Sequence, residues 1–175
     1  MLAGAALVPI TALRAAGPTV FSESQRRCLE AFVNRLVPHD EYGPGAVECG
    51  VVEYIDRSFS DPLIGGKETL LAGLEAVDAF SRQSHGAPLA DLPPETQDTV
   101  LIAMENNSAA VFGLIRRLTL EGMFCDPSYG GNRNFAGWDL IRYPGPRLAA
   151  SPDDQRVGIA IKPVRTSVNG AGRGH

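Results

Sequence analysis

The sequence predicts an all-α fold: a small bundle of about five helices, followed by a long irregular segment rich in aromatic residues and glycine. Apolar residues recur at helical spacing in five stretches between residues 22 and 124. No hairpin pattern interrupts them. Between Gly122 and Arg147 the periodicity stops altogether. At 175 residues, 44% apolar and 21% charged, the chain suits one domain with a core large enough to need no staples.

The first helix opens at Ser22, with Gln25 three residues on as a capping-box pair. Cys28, Leu29, Phe32, Val33 and Leu36 form its apolar face, and Pro38 ends it. His39 to Gly45 (HDEYGPG) is turn chemistry. A second helix is predicted from about Ala46 to Phe59, burying Val47, Val51, Val52, Ile55 and Phe59. Asp61-Pro62 and Gly65-Gly66 break the chain. A third helix covers about Lys67 to Arg82, with Leu70, Leu71, Leu74, Val77 and Phe80 inward. HGAPLADLPP reads as loop, and Pro94-Glu95 as the start of a short fourth helix carrying Val100, Leu101 and Met104. After Asn106-Asn107-Ser108, a fifth helix runs from about Ala109 to Phe124 on Val111, Phe112, Leu114, Ile115, Leu118 and Met123.

The segment it feeds, GMFCDPSYGGNRNFAGWDLIRYPGPR, holds five of the twelve aromatics: Phe124, Tyr129, Phe135, Trp138 and Tyr143. An even spread would put far fewer there. Arg133, Arg142 and Arg147 sit among them, with Asp126-Pro127 and Asp139 as turn formers. Aromatics mixed with arginine anchor protein interfaces, and long loops in compact domains tend to be functional. Wrapping the ends of the helices is the plainer reading, and both can hold. Trp138, the lone tryptophan, is expected to pack inward. Beyond it, residues 148–175 read as an extended or mobile tail, in which VGIAIKPV forms one short strand or lies along a partner.

Residues 1–21 differ from the rest. Leu2 to Leu13 is apolar, and Ala15, Ala16 and Gly17 follow like the cleavage zone of an export signal, although no charged n-region precedes the run. A core helix is the alternative; Pro9 and the lack of a cap count against it. Export implies an oxidising compartment, in which Cys49 and Cys125 could join; unpaired burial is the plainer reading. Cys28 falls on an apolar face as a small core residue.

Little here carries bond-making chemistry. GxGxxG, GxSxG, the P-loop, HExxH and CxxC are all missing from the sequence. His39, Asp40 and Glu41, with Glu48 and Glu53 downstream, are the nearest thing to a metal or acid/base cluster; near a helix start Asp40 or Glu41 more often serves the backbone amides and dipole. A net charge of −4 and no basic run argue against nucleic acid.

Two stretches carry specific motifs. One is LVPHDEYGPGAVECGVVEYIDRSF (Leu36 to Phe59), with Val37, Pro38, Asp40, Pro44, Gly45 and Ala46, then Tyr54, Ile55 and Asp56. The other has Asp126, Pro127, Tyr129, Gly130, Gly131 and Asn132, then Gly137-Trp138 and the Tyr143-Pro144-Gly145-Pro146 run. Together they resemble the gluconate 2-dehydrogenase subunit 3 family. The resemblance covers roughly residues 22 to 147 and implies a non-catalytic small subunit. In that family a large subunit of the glucose-methanol-choline type holds FAD and oxidises a sugar or sugar acid, and a multihaem cytochrome c subunit often passes electrons to quinone. The small subunit carries a twin-arginine export signal and escorts the large one to the periplasm, so any membrane association is indirect. No twin arginine stands ahead of the apolar run at the start of this sequence, and Cys49 and Cys125 replace small residues of the motifs. The resemblance puts no cofactor in this chain, with FAD in the large subunit and haem c in the cytochrome. It makes Asp126, Tyr129, Gly130, Gly131, Asn132, Arg133, Trp138 and Arg142 the expected partner-binding set. A stand-alone periplasmic metal-dependent enzyme using His39, Asp40 and Glu41, or a structural periplasmic protein unrelated to redox chemistry, is the alternative.

Overall fold

The computed structural model describes residues 19–61, 64–147, 152, 156–158 and 161–167. The export-like run of residues 1–18 lies outside them. The described chain is a helical bundle of six α-helices, with no β-sheet among the described residues. They are α1 (Glu23–Leu36), α2 (Val51–Phe59), α3 (Lys67–His85), α4 (Pro94–Asn107), α5 (Ala109–Phe124) and the short α6 (Ala136–Leu140).

α1 is the hub and packs against α2, α3, α4 and α5. Its Ser22 side chain accepts from Gln25 N while Gln25 Oε1 accepts from Ser22 N, the reciprocal cap that the sequence announces. Cys28, Leu29, Phe32 and Val33 are buried at the centre, and Phe32 meets Phe112 of α5 with ring centroids 5.6 Å apart. Burying each of the larger of these side chains is worth roughly 1.5–3 kcal/mol. Arg35 forks onto Asp98 with two bonds of 2.7 Å, tying α1 to α4. Thr19, Val20 and Phe21 pack onto this unit: Thr19 Oγ1 and Val20 N both donate to Asp56, and Phe21 is buried.

Several boundaries differ from the sequence reading, each for a local reason. α2 begins at Val51, not Ala46. Residues 46–50 make a single turn in which Val51 N donates to Ala46 O and Gly50 N to Val47 O. That is a Schellman closure, and it puts Gly50 in the left-handed region at φ 79°. α3 runs on to His85, where Gly86 stops it at φ 81°. The loop before α4 contains a 3₁₀ turn, Leu89–Asp91, whose fully buried Leu89 seats against α1 and accepts from Gln97 Nε2. Phe80, expected inward, keeps 36% of its surface exposed. The irregular segment is partly ordered into two 3₁₀ turns, Pro127–Tyr129 and Arg133–Phe135, and then α6.

Candidate functional site: the Gly122 to Arg147 segment

A helix leaves its last carbonyls without intrahelical partners, and those of α5 determine how this segment folds. Asn132 N donates to Gly122 O at 2.8 Å. Trp138 Nε1 donates to Phe124 O at 3.0 Å, and Asn132 Nδ2 to Cys125 O at 2.8 Å. The other end of the same amide, Asn132 Oδ1, accepts from Gly137 N at 2.9 Å and Trp138 N at 3.3 Å, the first amides of α6. Asn132 is fully buried and sits at φ 45°, a conformation that asparagine tolerates better than most residues. One side chain thus joins the end of one helix to the start of another.

Close approach makes glycine necessary beside it. A Cβ at Gly131 would stand 2.1 Å from Gly122 O, and one at Gly137 would stand 1.8 Å from Met123 O. Trp138 is buried between Phe135, 5.3 Å away, and Tyr143, which meets it edge-on at 5.0 Å. Phe135, Trp138 and Tyr143 therefore form a small aromatic cluster against the end of α5.

From α1, α2 and the turn that precedes α2 come the polar ties. Arg133 N donates to Cys49 O at 2.9 Å. The Arg133 guanidinium lies 3.6 Å from Glu53, which also holds Arg26 at 2.7 Å. Arg57 Nη1 donates to Ser128 O at 2.9 Å. Asp126 accepts from Ser128 N at 2.9 Å and caps the first 3₁₀ turn, which ends at Gly130 with φ 103°. Asp139 pairs its carboxylate with Arg165, and its backbone carbonyl closes a turn by accepting Arg142 N–H.

The expected partner-binding residues fall into two groups. Asn132, Gly131 and Trp138 are inside, and Asp126 and Gly130 are half-buried in turns. Tyr129, at 54% exposure, points out with Arg133 and Arg142. Ile141 and Tyr143, exposed beside them, were not singled out as contact residues, since exposure of single apolar residues leaves no periodic signal. Glu53 and Arg57 sit on α2 and reach the segment only through the fold, so nothing in the local sequence marks them.

The thiols of Cys49 and Cys125 are free. Burial, then nearby acidic charge, pushes the Cys49 thiol pKa up, and burial does the same for Cys125. His39, Asp40 and Glu41 do not converge. Asp40 takes the amides of Tyr42 and Gly43 in its own turn. His39 Nδ1 meets Glu48 at 2.7 Å on the surface, and Glu41 is exposed. Among the described residues no three His, Cys, Asp or Glu side chains come together to hold an ion. Two surface hollows away from the segment, of about 270 and 330 Å³, line α1 with residues already engaged in ion pairs and amide bonds such as Arg27, Asp78 and Gln97.

Among the described residues no helix is long and apolar enough to cross a membrane. Neither the curated proteins nor the solved structures contain a match to this chain. The family described as Gluconate 2-dehydrogenase subunit 3 matches residues 23–145, from the first residue of α1 to Gly145 of the segment. The chain belongs to the gluconate 2-dehydrogenase subunit 3 family.

Proposed function

We propose that this protein is the non-catalytic small subunit of a periplasmic FAD-dependent sugar or sugar-acid dehydrogenase. It binds a glucose-methanol-choline-type large subunit through the Gly122 to Arg147 segment, and supports that subunit's maturation, stability and twin-arginine export. FAD and the reacting atoms belong to the large subunit, and haem c to a cytochrome subunit through which the complex meets the membrane. The observation that carries this reading is the segment's construction. Its backbone is locked from within by Asn132 and Trp138, while Tyr129, Arg133 and Arg142 are left facing water. A preformed loop that presents an aromatic and guanidinium groups loses little freedom on docking.

The test is co-expression with the large subunit. Tyr129→Ala combined with Arg133→Ala should weaken the complex about thirtyfold while the isolated variant keeps its helical circular dichroism. Undiminished complex yield would defeat the docking claim. So would a flavin spectrum in the small subunit purified alone.

A further inference from the structure

Residues 161–167 lie extended along the docking segment and touch it from one end to the other. Ser167 Oγ bonds to Asp126 at its start. The Arg165 guanidinium pairs with Asp139 and stands 5.8 Å over the Phe135 ring, an attraction between cation and π face. Val164 N donates to Pro144 O at 2.6 Å, and Arg147 Nη2 to Lys162 O at 2.8 Å. The two stretches run antiparallel. They also pass close at Gly145, where φ is 91° and an added Cβ would stand 2.1 Å from Val164 O.

We infer that residues 161–167 are an intramolecular strap that braces the docking segment in its binding shape before the flavoprotein arrives. Its partners are Asp126, Phe135, Asp139, Pro144 and Arg147. Tyr129, Arg133 and Arg142 are not among them and stay exposed with the strap seated. A lid would cover those side chains; this contact leaves them open. The strap also lies past residue 145, where the family match ends, so membership alone does not account for it. Ordering a loop before association removes part of the entropy lost on binding. That last consequence rests on the proposed docking role, whereas the bracing itself does not.

Hydrogen–deuterium exchange on the full chain separates the two. Arg165→Ala with Ser167→Ala should speed exchange in residues 126–147 about tenfold, while α1 and α4 exchange as before. Arg165→Lys, which keeps the cation, should restore part of the protection. Gly145→Ala, which leaves Asp126 and Asp139 intact but collides with Val164, should give the same loosening. Equal exchange of residues 126–147 in the wild type and the double variant would overturn the strap. Association with the large subunit, measured on the same proteins, should weaken severalfold. Tighter association would make the element a lid and overturn the bracing. Absence of any complex with the wild type would instead sink the docking role, with the exchange result still deciding the strap.

Discussion

Asn132 satisfies three backbone groups with one amide: the carbonyl of Cys125 and the amides of Gly137 and Trp138. The two amides are buried and the carbonyl is half-buried, so removing the side-chain amide leaves desolvated polar groups with nothing to meet them. Asn132→Ala should therefore lower unfolding stability by about 3 kcal/mol, read from a urea midpoint. Asn132→Asp keeps the acceptor but turns an oxygen toward Cys125 O, and should lose a comparable amount. The cysteines offer a second check at this scale. Burial raises the pKa of all three thiols, Cys28 most strongly, so each stays protonated and slow to alkylate near neutral pH. Protein purified without reductant should take three alkyl groups once denatured, as counted by mass spectrometry. A single alkyl group would reveal a Cys49–Cys125 bond. What was legible here was residue type: Asn132 and the glycines were picked out of the segment as contact residues, whereas Trp138, named with them, was also expected to pack inward. Their inward role depends on carbonyls at the end of α5, which no local pattern encodes.

The helices were legible wherever one face is apolar and the opposite face polar, as in α1, where Cys28, Leu29, Phe32 and Val33 all reach the core. Pro94 at the first turn of α4 was equally readable. The start of α2 was not. Ala46 and Cys49 are buried although they lie in a turn, so they mimic a helical face, and the space beside Gly50 is filled by Gly130 and Arg133 from far along the chain. Between elements, the Arg35–Asp98 fork gives a pH prediction. Its hydrogen bonds lower the Asp98 pKa, so the pair's contribution is present above the ordinary carboxylate range and is lost as pH falls through the folded value. Asp98→Asn should flatten the acid limb of thermal stability below about pH 4, with a modest effect because the pair is partly exposed. Glu48, held by His39 and then by Gly45 N–H, shifts in the same direction and adds to that limb.

At the scale of the molecule, one hub helix organises the bundle and one segment closes its end. The all-α class and the family followed from the sequence because both rest on residue pattern and motif. The order within the segment did not, because it is built from contacts across the fold: Arg57 to Ser128, Arg133 to Cys49, and Arg165 to Asp139. The same distribution explains why the strongest motif residues need not be the ones that touch another protein. Invisible glycines and a buried amide shape the surface, and Tyr129, Arg133 and Arg142 occupy it.

The chain's only indole sits in that closing corner, its N–H engaged by Phe124 O and its ring between Phe135 and Tyr143. Ultraviolet emission excited at the tryptophan band therefore reports on this corner alone, while far-ultraviolet dichroism reports on the bundle. The molecule carries a built-in optical probe that distinguishes detachment of its C-terminal corner from melting of the helices, with no label added.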